Sequence, residues 1–328
     1  MPRTNSRALI AAFALLLGAC APAVAQEKAA DYPTRTIELV VPFPAGGATD
    51  VIARIVAQLV SEQWGQAVVV QNRAGATGAI GSEYVARAKP DGYTLLVATA
   101  STHAVLPAYR HDLSYDTVTS FAPATLLATF PNVLVVNPKV PAKNVAELIA
   151  LLKANPGKYN FSSSGAGGSI HFAGELFKLM TKTDMIHVPY KGSAPAINDL
   201  IAGNVQLTFD NMTAVWPQVQ QGNLRALGVA SLERTPLAPD LPAIAETVPG
   251  FEATSWVGVV GPAGMPAPIV EKISKAFAAA LDRPEVRKRL ADLGATALSD
   301  KPDEFREFIR ADRAKWQKVA QEAHLSAK

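Results

Sequence analysis

The chain has 328 residues, 49% of them hydrophobic, enough for a sizeable core and long enough for about two domains. With 31 basic against 28 acidic residues and 7% aromatics, it has neither the charge excess nor the stacking groups of a nucleic-acid binder. Beyond residue 30 there is no run of about 18 apolar residues, so no membrane span is predicted there.

Residues 1–25 read as an export signal. Arg3 and Arg7 form a basic start, Ala8 to Ala19 an apolar run, and Ala23-Val24-Ala25 a small-residue cleavage site. Leu17-Gly18-Ala19-Cys20 also resembles a lipobox, which would make 1–19 a lipoprotein signal with Cys20 lipidated. Both readings predict an exported, periplasmic protein, free or tethered. Cys20 is the only cysteine, so the folded body has no disulfide, thiolate nucleophile or cysteine-based metal site.

The elements follow in chain order. After a polar leader over 26–33, Thr36–Val41 reads as a strand, closed by Pro42-Phe43-Pro44-Ala45-Gly46-Gly47. Val51, Ile52, Ile55, Val56, Leu59 and Val60 recur at helical spacing, with Gly65 as the stop. Ala67–Gln71 is a strand, Gly78–Lys89 a helix and Tyr93–Ala98 a strand after a Pro-Asp-Gly turn. The segment 101–130 is less regular, with strands at Phe121–Thr129 and Val133–Val136. Asn144 caps a helix through Ala154. Then come strand Tyr159–Ser162, helix His171–Met180, strand Ile186–Pro189, helix Ala194–Ile201 and strands Val205–Phe209, Leu224–Ala230 and Trp256–Val260. Helices Ala267–Leu281, Glu285–Leu293 and Asp303–Ala323 finish the chain. Such alternation predicts an α/β fold with a doubly wound, mainly parallel sheet in each of two lobes. Lobe 1 is expected over 26–101 plus 228–328 and lobe 2 over 102–227, with a ligand cleft between them at strand carboxyl ends.

Two strand-to-helix loops carry the chemistry. In the first, Gly46, Gly47 and Ala48 bring backbone N–H groups close to a ligand, and Thr49 adds a hydroxyl. The first N–H groups of a helix lack internal partners and carry partial positive charge, so the loop can hold a carboxylate without Lys or Arg. The second, Ser162 to Ser169, has the same logic with three consecutive serines and three glycines. Both also read as plain turns; an anion site on each jaw would suit a ligand with two polar ends. Thr77 and Ser101 could line the same cleft or simply cap helices. Tyr190 could wall the pocket and Lys191 reach an anion, while Asp210 could accept from a ligand or cap a helix. His171, beside the second loop, could touch ligand or be structural. Hydrolase, nucleotide-binding and metalloprotease motifs are absent, and the acidic residues show no metal-loop spacing, so no enzyme activity, cofactor or metal is predicted.

At these loops the chain resembles the substrate-binding proteins of tripartite tricarboxylate transporters, the TctC or Bug family. The resemblance rests on Tyr32-Pro33-Thr34-Arg35 with Ile37–Val41, on Pro42 to Asp50, on Asn72-Arg73-Ala74-Gly75-Ala76-Thr77-Gly78 and on Lys89-Pro90-Asp91-Gly92-Tyr93-Thr94-Leu95. It continues through Ser163-Ser164-Gly165 with Ser169-Ile170-His171, Val188-Pro189-Tyr190-Lys191-Gly192 and Pro262-Ala263-Gly264, covering about 32–325. It implies a two-lobed Venus-flytrap receptor in the periplasm, a monomer. Such a receptor closes on a small organic carboxylate and delivers it to the large and small membrane subunits of a transporter. It also implies that first-lobe backbone amides hold the carboxylate, partly through ordered water. Phe43 and Pro44 would shape the floor. Gly46, Gly47, Ala48 and Thr49 would hold one carboxylate, Asp50 would brace the loop or reach polar groups of the ligand, and Ser163, Ser164 and Gly165 would close from the second lobe. Thr77, Ser101, Tyr190 and Asp210 transfer more loosely. Two other readings keep their place at the level of sequence: a sensor presenting ligand to a membrane kinase, and a periplasmic hydrolase.

Overall fold

The computed structural model describes residues 30–327; the signal segment, its cleavage after Ala25 and the lipidation of Cys20 lie outside them. β1 (Ile37–Val41) is an almost wholly buried apolar run, and a short turn leads into α1 (Ala48–Trp64). The helix buries Ile52, Ile55, Val56 and Val60 on one face and stops at Gly65, whose φ of 63° is the left-handed conformation that glycine adopts without strain. β2 (Val68–Asn72), α2 (Ala79–Ala86) and β3 (Thr94–Thr99) complete a parallel unit in which β2 and β3 flank β1.

The chain then turns through a wide helical turn at Ser101–Val105 and the short α3 (Leu106–Tyr109) into β4 (Phe121–Val136). α4 (Val145–Ala154) follows, with the Asn144 side chain accepting the Glu147 N–H as expected of a cap. Next come β5 (Asn160–Ser163), α5 (Ser169–Thr181), β6 (Ile186–Pro189), α6 (Ser193–Ala202), β7 (Leu207–Asn211), α7 (Met212–Gln220) and β8 (Arg225–Val229). A loop with one short helical turn leads to β9 (Thr254–Pro262), then α8 (Ala267–Leu281), α9 (Pro284–Asp292), β10 (Thr296–Ala297) and α10 (Pro302–Glu322). From Pro33 onward the described residues form one compact unit.

The strands are ordered β2-β1-β3-β9-β4-β7-β5-β6, with β8 and β10 also pairing with β4. Two sections share β4. Up to Pro131, which pairs with Thr254, β4 runs antiparallel to β9. From Asn132, which pairs with Asn211, it runs antiparallel to β7 and β8. Each section keeps a parallel trio, β2-β1-β3 in the first and β7-β5-β6 in the second. β4 and β9, which join these trios, are antiparallel to their neighbours.

Three local differences from the sequence reading have physical causes. The two strands expected over 121–136 are one strand of 16 residues. Pro131 lies in the gap between the two expected strands and sits where the partners change, and the register shifts just after Pro123, where a missing N–H is tolerated. The segment Phe121–Pro131, grouped with lobe 2 in the sequence, pairs within the first sheet section. Helix α7 has no counterpart in the sequence reading because Pro217, within it, breaks the apolar period.

Candidate binding cavity

A cavity of about 320 Å³ opens at the carboxyl ends of the strands. Four helices begin on its wall: α1 with Gly47 before it, α5 after Gly168, α6 after Gly192 and α7 after Asn211. At none of these four starts does the residue before the helix cap it with its own side chain, so apart from the Ser169 N–H, which Ser101 Oγ accepts, their first N–H groups and positive dipole ends face the cavity side without a cap. Among the described lining residues Lys191 alone is charged, and no carboxylate faces in. Phe43, Phe130, Ile170, Ile197 and Trp256 provide apolar walls between these polar ends.

Of the residues singled out in the sequence, Phe43, Pro44, Gly46, Gly47, Ala48, Thr49, Ser101, Ser164 and Lys191 line this cavity. The two glycine-rich loops therefore meet at one place. The other seven sit behind the wall. Asp50 is buried, and its carboxylate accepts from the Gly46 N–H at 2.9 Å, Arg54 Nε at 3.0 Å and Asn72 Nδ2 at 2.9 Å. Burial pushes its pKa up, but these three donors outweigh it and hold the carboxyl below its ordinary value. The Asn72 amide also donates to the Phe43 carbonyl, so Asp50 and Asn72 together fix the loop's shape. Thr77 adopts a φ of 56°, unusual for a β-branched residue, and donates to the Ala166 carbonyl at 2.8 Å. That bond ties the turn before α2 to the second glycine loop. Gly165 fits against it closely, since a Cβ there would lie 2.8 Å from Thr77 Oγ1.

Ser163 is fully buried, 2.6 Å from His187 Nε2, and accepts from the Gly165 N–H. His171 stacks on His187 at 3.8 Å between ring centres and accepts from the Gly167 N–H through Nδ1. Burial pushes the His171 imidazole down to about 3 and that of His187 to about 4, with Lys178 adding to both. The pair is thus a neutral packing element that holds the loop from below. Tyr190 donates to Asp199 at 2.6 Å. Asp210 accepts from Ser193 Oγ at 3.0 Å and from the Asn211 N–H at 2.7 Å, joining the starts of α6 and α7. Its burial drives the pKa up to about 6 against those two bonds.

Several lining residues had gone unmarked in the sequence: Phe130, Asn198, Asn211, Thr213, Gln218, Ser255 and Trp256. Ser193 was legible in principle, because Gly192-Ser193 repeats the strand–glycine–helix signal of the two named loops. Ser255 and Trp256 come from β9, far along the chain, and only the sheet pairing brings them in.

Among the described residues no three or more His, Cys, Asp or Glu side chains gather to hold a metal, and no helix is long and apolar enough to cross a membrane. Two α/β sections around a cavity walled by helix starts define a two-lobed solute-binding protein of the periplasmic-binding-protein fold. Residues 52–325 match the tripartite tricarboxylate transporter family receptor, TctC, and the chain belongs to that family. It is 38% identical to Protein BugT of Bordetella pertussis over the whole of both chains. It also resembles the solved structure of R. palustris Rpa4515 with adipate, with 39% identity and a TM-score of 0.88 over 90% of this chain and 100% of that one. MatC from Rhodopseudomonas palustris with bound malate is 33% identical, with a TM-score of 0.82 over 88% and 99%. The chain is accordingly a solute-binding receptor and not an enzyme.

Proposed function

We propose that this receptor works in the periplasm as a monomer. It captures a small carboxylate-bearing solute by closing two lobes and passes it to the large and small membrane subunits of a tripartite tricarboxylate-type transporter. The observation that carries this reading is the cavity wall: four uncapped helix starts and Lys191, with no carboxylate among the described lining residues. Such a wall favours a dispersed negative charge without a dedicated salt bridge. The ligand-bound relatives, one with adipate and one with malate, support the same chemistry. In this reading Gly46, Gly47, Ala48 and Thr49 hold one carboxylate over a floor of Phe43 and Pro44. Ser164 and the starts of α5 and α6 meet the other end of the ligand. Asp50, Thr77, Ser163, Gly165, His171, Tyr190 and Asp210 shape the wall from behind.

The lobes divide within the shared strand. Residues 33–131 with 253–327 form one lobe and 132–229 the other, joined through β4 and the segment before β9. A ligand that bonds to both lobes only in the closed state shifts the population toward closure.

Thermal unfolding with adipate, malate and succinate, each beside its dimethyl ester, tests the proposal. Ligands that bind the native state raise the melting temperature. At least one free acid is expected to do so while its ester does not. Equal shifts from acid and ester, or no shift across the panel, would overturn the carboxylate reading.

A further inference from the structure

Three serines from distant parts of the chain line the cavity side by side: Ser101 after β3, Ser169 at the start of α5 and Ser255 on β9. Ser101 Oγ accepts the Ser169 N–H at 3.0 Å and lies 3.0 Å from Ser169 Oγ. Ser255 Oγ lies 3.3 Å from Ser169 Oγ, toward which it donates, and 3.1 Å from the amide oxygen of Asn132. All four side chains are buried, and Asn132 Nδ2 has no hydrogen-bond partner. Asn132 does not line the cavity; it stands where β4 changes partners.

Each hydroxyl has one proton to give, so Ser255 cannot donate to both Asn132 and Ser169. If Ser255 gives its proton to Asn132, it has none for Ser169. Ser169 then receives nothing from Ser255, and the buried Asn132 amide nitrogen stays unmet, an arrangement that native interiors rarely tolerate. A half-turn of the amide presents nitrogen to Ser255 instead. Ser255 then donates to Ser169 and Ser169 to Ser101. Both lone pairs of Ser101 are then filled, one by the Ser169 hydroxyl and one by the Ser169 N–H, which leaves its own proton for the cavity that it lines.

We propose that Asn132 and Ser255 are positioning residues that polarise this serine chain so that Ser101 donates its proton to the bound solute. The inference rests on the carboxylate reading above and adds a side-chain donor to the backbone donors. Successive hydrogen bonds strengthen one another, so a residue outside the cavity sets the strength of a contact inside it.

Two measurements test this. Neutron diffraction from the perdeuterated protein should show the Asn132 amide deuterons toward Ser255 and the Ser101 deuteron toward the cavity. The Asn132 oxygen facing a Ser255 deuteron would overturn the proposal, whatever the solute. Calorimetry with adipate and malate then reads a double-mutant cycle. Ser101→Ala should weaken binding about tenfold and Ser255→Ala about threefold, as expected for lost hydrogen bonds. In the Ser101→Ala background, Ser255→Ala should change affinity less than about twofold, because its route is already gone. Ser255→Thr, which keeps the hydroxyl, should restore binding. An undiminished loss in both backgrounds would mean that Ser255 touches the solute directly or acts through the fold, and would refute the positioning role. If neither acid binds, the carboxylate reading fails and the neutron map still decides the polarity of the chain.

Discussion

Asp50 is a carboxylate placed behind the proposed anion site, where it could be expected to repel the solute. Its charge is taken up by the Gly46 N–H, Arg54 and Asn72, and in return it fixes the loop that presents the amides of Gly47, Ala48 and Thr49. Asp50→Ala should lower stability by about 2 kcal/mol in chemical denaturation, since it leaves a network of charge-assisted bonds unmade, and should weaken adipate binding in calorimetry. Because its folded pKa lies below the ordinary value, this stabilisation is present above pH 4 or so and is lost as pH falls through the lowered folded pKa. Asp210 runs the other way. Its folded pKa is raised from 3.8 to about 6, so the native state holds a proton that the unfolded chain has released. Its contribution is best at low pH and is lost as pH rises from about 4 to 6. Asp210→Asn keeps both acceptor contacts without the charge. It should be more stable than the parent at pH 7.5 by ~1–3 kcal/mol, the size of a shift of about two pKa units, and equal to it near pH 4. Urea melts at the two pH values check this; a variant less stable at pH 7.5 would show that the ionised carboxylate supports the fold. Comparing parent and variant is necessary because the buried histidines titrate in the same range. His103 and His171 are pushed down to about 3 and His187 to about 4 by burial. Their stabilisation is present above pH 6.5 or so and fades as the medium becomes acidic.

At the scale of elements, the helix starts matter more than the helices. α5 can bring Ser169 and Ile170 to the cavity because Gly174, one turn in, lets the helix lie directly on Phe161 of β5. A Cβ at position 174 would sit 2.3 Å from that ring. Gly174→Ala should therefore cost about 2 kcal/mol, as overpacked cores do, and should weaken adipate binding by shifting the start of α5. Unchanged affinity in the destabilised variant would show that the start of the helix does not depend on this contact. Which elements were legible in the sequence follows the same physics. α8 was read to the residue because Pro266 precedes it and its apolar period is unbroken. Both loops feeding the cavity were read because glycine between a strand and a helix is a local signal. What local pattern could not give was the passage of β4 through Pro131, the helix around Pro217, or the arrival of Ser255 and Trp256 on β9. Those depend on partners far along the chain. Behind the wall, Thr77 and Gly165 were picked out as binding residues because their residue types fit a ligand. In the structure they bond and pack against each other's loops and do not line the cavity.

For the molecule as a whole, the path of the chain has a practical result. The second sheet section is contributed by one uninterrupted stretch, entered at Asn132 within β4 and left after Val229 at the end of β8. The first section is assembled from pieces on either side of it. One jaw is therefore a cassette that two cuts would release, whereas its counterpart would need both flanks exchanged. Transplanting 132–229 from the malate-bound relative should carry over that relative's preference among diacids while keeping the host's Gly46–Thr49 grip, as competition calorimetry between malate and adipate would read. A chimaera that folds and keeps the host's preference would place selectivity in the flanks instead. Evolution has the same shortcut: a single recombination event within this span can retune what the receptor collects and leave the other half of the molecule intact.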